Sequence, residues 1–233
     1  MTQPTRVLIV WGSETNQTQN AMKELAEKWE KNSEKKFEIV KILEGNAAAE
    51  DFDEINAKNY DMIVVGTSSY GDGDAPSGYG KFLYQLYEAS KSPEKPLEGM
   101  QHSVLGFGST IYDTYQNVPR LTDKLLGDAG SRRCVKRLEI DEMEDYDENN
   151  KAVEGWSDEV SAVFCADDSV KLSDPVCSWT LPKDAIYNKS LGPDGYEVGN
   201  GMGESSALTR IAVAVGLAGV AYWYYYIKDK ESN

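Results

Sequence analysis

Three short stretches carry residue types suited to holding a ligand. The first, GSETNQT from Gly12 to Thr18, follows the apolar run RVLIVW and precedes a helical pattern. It offers hydroxyls at Ser13, Thr15 and Thr18, amides at Asn16 and Gln17, one acid at Glu14 and no base. The first N–H groups of a helix lack intrahelical partners and sit at a positive dipole end. Such a loop binds a phosphate monoester without Lys or Arg. Taken alone, helix capping by Ser and Thr explains the same residues. The second stretch is GTSSYGDGDAPSG, Gly66 to Gly78, and the third is GFGSTIYDTYQN, Gly106 to Asn117. They bring Tyr70 and Tyr112, two rings that can bury a flat ligand from both sides. Together the three loops point to a planar, phosphorylated ligand.

These loops need elements to position them. Apolar runs at Arg6–Trp11, Phe37–Leu43, Met62–Ser68, Ser103–Ser109 and Cys134–Ile140 read as strands. The first, third and fourth are apolar on both faces, as buried parallel strands are, and the other two belong nearer an edge. Helical spacing covers Gln17–Lys31, Tyr79–Ala89, Val118–Ala129 and Asn150–Cys165, with a shorter helix near Ala47–Asn56. The β–α alternation predicts a doubly wound α/β sheet. Each ligand loop then leaves the carboxyl end of a central strand, where ligands bind in such sheets.

Composition narrows the partners. The chain has 233 residues, with 24 Lys and Arg against 39 Asp and Glu, a formal charge of −15. Nucleic acid is excluded as a partner because nothing would neutralise its phosphates, and a basic protein surface fits better. The 3 cysteines, Cys134, Cys165 and Cys177, form no C-x-x-C pair, and His102 is the single histidine, so no metal site is expected. With no signal peptide apparent, an odd count of cysteines points to reduced thiols.

The last part of the chain has a different character. Residues 167–205 are rich in Pro and Gly and read as a linker, although Val176, Trp179, Leu181, Ile186, Tyr187 and Tyr196 give it apolar anchors. An apolar run then covers residues 211–227, and extended back across Arg210 to Ser206 it comes close to the length that crosses a bilayer. It ends in YWYYY, and aromatic rings of this kind favour the headgroup level. Lys228 and Lys230 follow in the short polar tail, 228–233. A single C-terminal transmembrane helix is expected, with the acidic domain, residues 1–166, on the cytosolic side. A mitochondrial outer or endoplasmic reticulum membrane suits a short span with flanking bases.

From Arg6 to about Phe164 the sequence resembles the flavodoxin-like family, closest to the FMN domains of diflavin reductases of the cytochrome P450 reductase type. GSETNQT, SSYGDGDAP and GFGSTIYDTYQN carry the resemblance, in order and each after its strand, and LEIDEMED followed by Trp156 resembles the end of that domain. The resemblance implies a five-stranded parallel sheet of the short-chain type, without a long insertion in the last strand. It implies FMN as cofactor, with Ser13, Glu14, Thr15, Asn16, Gln17 and Thr18 around its phosphate. Ser68, Ser69, Tyr70 and Gly71 would line one side of the isoalloxazine. Phe107, Gly108, Ser109 and Tyr112 would line the other, with Asp113, Tyr115 and Gln116 beyond and Asp141 as an acid near the ring. In the family, the peptide at Gly71 turns its carbonyl towards the reduced flavin. Asn16 stands where the family usually has Gly, and Asn tolerates the left-handed backbone better than most residues.

The resemblance implies an electron carrier in which the flavin is the redox centre, and the apolar C-terminal run makes it a membrane-anchored one. No FAD- or nicotinamide-binding region follows the domain in this sequence. Electrons are therefore expected from a separate NAD(P)H-dependent flavoprotein and are passed to a haem, iron or flavin protein. Two other classes stay open: a single-pass accessory subunit of a membrane complex that uses the fold as scaffold, and a flavodoxin-like NAD(P)H:quinone reductase.

Overall fold

A computed structural model describes residues 4–31, 37–70 and 73–163. Gly71, the linker 167–205, the expected span 206–227 and the tail 228–233 lie outside the described residues. Among the described residues, no helix is long and apolar enough to cross a membrane.

The elements are β1 (Thr5–Trp11), α1 (Gln17–Lys31), β2 (Phe37–Glu44), α2 (Gly45–Ala48), a 3-10 turn (Phe52–Glu54), β3 (Met62–Ser68), α3 (Gly80–Lys91), β4 (Gln101–Gly108), α4 (Asn117–Asp128), β5 (Arg132–Arg133), β6 (Leu138–Asp141) and α5 (Tyr146–Val163). The strands pair in the order β2-β1-β3-β4-β5, every pair is parallel, and β6 also pairs with β4. This is the expected doubly wound sheet.

β1, β3 and β4 are buried along most of their lengths, and the edge strand β2 is half open. β2 slips register between Val7 and Leu8, so its run Ile39–Lys41 holds an extra residue against β1. Buried parallel strands must offer apolar groups to both faces, and VLIV and IVV do so. On one face α1 and α5 cover Val7, Ile9, Met62, Val64, Leu105 and Phe107. α1 buries Thr18, Met22, Leu25, Ala26 and Trp29, the spacing of one helical stripe. The Trp29 indole donates to Ser157 Oγ of α5 at 3.0 Å, joining the two helices. On the other face α3 and α4 pack over Leu8, Val10, Ile63, Val65 and Val104. There the hydroxyls of Tyr79 and Thr122 share a hydrogen bond at 2.9 Å.

The fifth strand position departs from expectation. In place of one strand over Cys134–Ile140 there are two short pieces on β4, separated by Cys134–Arg137. Cys134 and Val135 are adjacent in sequence yet both pack into the core on the α1 and α5 face, where successive strand residues would point to opposite faces. The Lys136 carbonyl accepts from the Trp156 indole at 3.1 Å, holding the break against α5. There is thus an interruption but no long insertion. The expected helix near Ala47–Asn56 is only the four residues of α2 and the 3-10 turn. α5 starts at Tyr146, before the expected Asn150, because the Asp145 carboxylate accepts from the N–H groups of Asp147 and Glu148 and caps the helix there.

Candidate functional site

Because β1, β3, β4 and β6 are parallel, the loops that follow them gather at one end of the sheet. The chain passes from β1 outward to β2 and returns to β3 on the opposite side of β1. The carboxyl ends of β1 and β3 therefore flank the point at which winding reverses, the position where this architecture opens a crevice. The Gly12 N–H donates to the Gly66 carbonyl at 2.9 Å and joins the two strand ends below it.

The loop Ser13–Asn16 leads into α1. From Ser13 to Gln19, no backbone N–H is bonded to another described group. Asn16 has φ 66°, the left-handed conformation, and its carbonyl accepts from Asn20 N–H at 2.9 Å. This is the backbone that lets the loop turn into the helix, and Asn is one of the few residues with a Cβ that adopts it readily. Thr18 is buried, with its methyl beside Gly66, where any Cβ would lie 2.4 Å from Met22 Sδ. Ser13 is half-buried, and Glu14, Thr15, Asn16 and Gln17 are exposed. The Glu14 carboxylate is taken by Ser77 N–H at 2.8 Å.

The second loop leaves β3 at Ser68. Ser69 Oγ accepts from Val118 N–H at 3.0 Å, which places the hydroxyl over the first turn of α4. Tyr70 is half-buried and closes a tight turn with Asp74, whose carbonyl accepts from Tyr70 N–H at 2.9 Å. Gly73 completes that turn at φ +94°, and a Cβ there would lie 3.0 Å from Thr114 of the third loop. The second and third loops thus touch directly.

The third loop leaves β4 at Gly108. Phe107 is buried in the core on the α1 and α5 face. Ser109 is half-buried, Asp113 is exposed, and the Tyr112 ring is 55 % exposed and available to stack. Tyr115 lies against Gly108, and burial pushes its phenol up. Gln116 is wholly buried at φ 61° and donates from Nε2 to the Ile140 carbonyl at 3.1 Å. Its Oε1 has no partner among the described residues and lies against Gly106, where a Cβ would be 2.0 Å away.

Asp141, at the end of β6, accepts from Thr110 N–H at 3.1 Å, Thr110 Oγ1 at 2.6 Å and Met143 N–H at 3.0 Å. The small burial cost pushes its carboxyl up, but these bonds outweigh it and hold the group below the usual carboxylate range. Glu142 moves the other way, raised by desolvation and by the neighbouring charge of Asp141.

The four loops converge as expected, yet their polar groups divide in two. The Ser13–Gln19 backbone and the Tyr112 ring stay available to a ligand, while Glu14, Ser69, Gln116 and Asp141 bond to other parts of the chain. Thr110, Thr114 and Ser77 complete this framework and were not anticipated. For Thr110 the signal was present, a hydroxyl two residues beyond the end of the central strand β4. Ser77 acts through its backbone, which carries no signal of residue type. Among the described residues, no cluster of His, Cys, Asp and Glu could hold a metal. An unpartnered row of N–H groups at a helix start, beside an accessible ring, fits a planar group bearing a phosphate.

The model of the flavodoxin family matches residues 9–156. Methionine synthase reductase of Caenorhabditis elegans is 31 % identical over 140 residues, 60 % of this chain and 19 % of that protein. The bifunctional cytochrome P450/NADPH–P450 reductase of Bacillus cereus is 35 % identical over 103 residues, 43 % of this chain and 9 % of that protein. The chain thus spans a fifth or less of these relatives. Among solved structures, oxidised flavodoxin 1 of Bacillus cereus superposes with a TM-score of 0.53 at 18 % identity, covering 71 % of this chain and all of that one. Flavodoxin of Streptococcus pneumoniae superposes at 0.54 and 23 % identity, covering 67 % and 98 %. The Gly12–Thr18 loop, the two tyrosine loops and the β2-β1-β3-β4 sheet accordingly belong to a member of the flavodoxin family of FMN-binding electron-transfer domains.

Proposed function

We propose that this chain is an electron carrier that takes electrons from a separate NAD(P)H-dependent flavoprotein and passes them to a haem, iron or flavin protein at a membrane. The observation that carries the proposal is the run of uncommitted N–H groups from Ser13 to Gln19 at the start of α1. Ser13, Thr15, Asn16, Gln17 and Thr18 would hold the FMN phosphate there. Ser68, Tyr70 and Gly71 would face the ring from the second loop, and Ser109 and Tyr112 from the third. Asp113, Tyr115 and Gln116 would support that side. FMN, when bound, supplies the redox chemistry, and the protein tunes it through the groups around the ring.

The acids set the electrostatics. Asp74, Asp113, Asp141, Glu142, Glu144 and Asp145 belong to the loops at this end of the sheet. Their field opposes added negative charge on a bound flavin and so makes it a stronger reductant. The same field steers a partner with a basic face, faster at low salt than at high. The names of the relatives include reductases of methionine synthase and of cytochrome P450. These support a haem or other redox protein as acceptor.

Residues 206–227 anchor the domain in this proposal. The support is the uncharged run Ile211–Ile227 with its aromatic cluster, and Arg210 and Lys228 on either side of that run. Tethering raises the local concentration of the carrier at a membrane acceptor.

The test begins with the purified full-length chain in detergent. It should be yellow and release FMN on denaturation. A folded chain that stays colourless and takes up no added FMN refutes the carrier. Fractionation then tests the anchor. The full chain should stay with membranes through alkaline carbonate washing, and a chain ending at Ser205 should not.

A further inference from the structure

The loops at the carboxyl end of the sheet are fastened to one another by side chains. Glu14, in the loop after β1, accepts from Ser77 N–H in the loop after β3 at 2.8 Å. Ser69, in the loop after β3, accepts from Val118 N–H at the start of α4 at 3.0 Å. Asp141, at the end of β6, accepts from both the N–H and the hydroxyl of Thr110 in the loop after β4, at 3.1 and 2.6 Å. Each loop is thereby tied to the next across the mouth of the site. Each tie includes a backbone N–H donating to a side-chain acceptor, and at Asp141 the Thr110 hydroxyl adds a second bond.

The Glu14 bond also settles a problem of charge. A carboxylate inside a phosphate loop repels the phosphate if it turns towards it. Bonded to Ser77 N–H, it is directed to the neighbouring loop, and its lone pairs support the segment that leads back from Tyr70 and Asp74 to α3. Ser69 acts on the other flank. It satisfies an N–H of the first turn of α4, which no intrahelical carbonyl can reach. That helix follows the loop bearing Tyr112, so the Ser69 bond fixes the Tyr70 loop relative to the Tyr112 loop.

We propose that Glu14, Ser69 and Asp141 are positioning residues, which hold the phosphate loop and the two tyrosine loops at the spacing a bound flavin requires and do not themselves contact it. The proposal rests on the FMN reading of these loops. It predicts that an acceptor at position 14 matters and a charge does not. It likewise predicts that a hydroxyl at position 69 matters, whichever residue carries it.

The experiment uses the full-length chain with Glu14→Gln, Glu14→Ala, Ser69→Thr and Ser69→Ala. Affinities for FMN and for riboflavin, which lacks the phosphate, are measured by flavin fluorescence, and the visible circular dichroism of the bound flavin is recorded. Glu14→Gln keeps a carbonyl acceptor for Ser77 N–H, and Ser69→Thr keeps a hydroxyl for Val118 N–H. Both should bind the two flavins within about twofold of the wild type, with unchanged dichroism, because each retains its hydrogen bond. The two Ala variants should weaken FMN and riboflavin alike, by roughly three- to tenfold, the effect of one net hydrogen bond. They should also alter the dichroism, since the ring loops have shifted.

The proposal is overturned for Glu14 if Glu14→Gln and Glu14→Ala behave alike, or if both tighten FMN and leave riboflavin unchanged. The latter result marks Glu14 as a charge acting on the phosphate. It is overturned for Ser69 if Ser69→Thr fails to restore what Ser69→Ala loses. Should an Ala variant not fold, the Gln or Thr variant decides, since full flavin binding there supports the tie and weakened binding refutes it. A wild-type chain that binds neither flavin overturns the FMN reading itself, which is distinct from a wild type that binds while the variants disagree with the pattern above.

Discussion

His102 Nε2 lies 3.1 Å from Asp123 Oδ1, and both side chains are only 1 % exposed. Ser131 Oγ approaches His102 Nδ1 at 2.7 Å from the other side. The same three residue types make a nucleophilic triad, but here the ring is reversed, with Ser131 at Nδ1 and Asp123 at Nε2. The Ser131 hydroxyl is donated to the Leu126 carbonyl, and the cluster is buried. Asp123 also accepts from Arg133 Nε at 2.7 Å and is bonded to Arg137. The cluster joins α4 to β4, β5 and the break before β6, which is a structural role.

Asp123→Asn should therefore destabilise the domain by about 3–5 kcal/mol, the cost of leaving buried partner charges uncompensated. The midpoint of urea unfolding, followed by circular dichroism, measures it. A loss below about 1 kcal/mol would show the cluster to be no more than a surface ion pair.

The same cluster makes stability depend on pH. Burial pushes the Asp123 carboxyl up, but its bonds to His102 and Arg133 outweigh this and hold it at about 2. A depressed carboxyl stabilises the fold above its unfolded value, near 3.8, and that contribution is lost as pH falls towards 2. Burial lowers His102 despite Asp123. The unfolded chain then takes up the histidine proton first, and stability starts to fall below about pH 6.5. Urea midpoints from pH 7 to 3 should decline through both windows, and Asp123→Asn should shrink the lower one to the part that Asp61, Glu139 and Asp141, also held below their usual range, contribute.

Asn16 offers a test of the phosphate loop. Its φ of 66° costs a residue with a Cβ roughly 1–2 kcal/mol, less for Asn and nothing for Gly. Asn16→Gly should bind FMN at least as tightly as the wild type, and Asn16→Val should bind it more weakly by about tenfold. Equal affinities in fluorescence titration would mean that the loop does not keep this conformation with the cofactor bound.

Tyr112 should matter to the cofactor and not to the fold. Its ring is 55 % exposed, so Tyr112→Ala should leave thermal stability without FMN nearly unchanged. Loss of the stacking surface should weaken FMN by about 0.5–1.5 kcal/mol. An unfolding temperature that drops while FMN affinity holds would place the ring in the packing instead.

Gly106→Ala should be poorly tolerated for a reason visible only in three dimensions. The added methyl would lie 2.0 Å from Gln116 Oε1 and 2.7 Å from Pro119 Cβ. Overpacking of this kind costs about 1–3 kcal/mol. Urea unfolding of the variant reads the cost, and a neutral result would show that Gln116 can swing aside.

Much of the fold was legible locally. The runs VLIV and IVV are apolar on both faces because a strand between two helical layers has no solvent side, and β1 and β3 followed. α1 runs from Gln17 to Lys31 as its periodicity implied, since one stripe of Met22, Leu25, Ala26 and Trp29 had to be buried. The left-handed backbone at Asn16 was also legible, because the turn requires it and Asn is among the few residues that accept it. Local sequence determined these because their causes lie within a few residues. The break at Cys134–Arg137 and the roles of Glu14, Ser69 and Asp141 have distant causes. Strand pairing with β4 and the Trp156 indole decide the break. Whether a loop carboxylate or hydroxyl faces a ligand or a backbone N–H some 30 to 60 residues away depends on which loops the sheet brings side by side. Residue type names the acceptor, and only the tertiary structure supplies the donor.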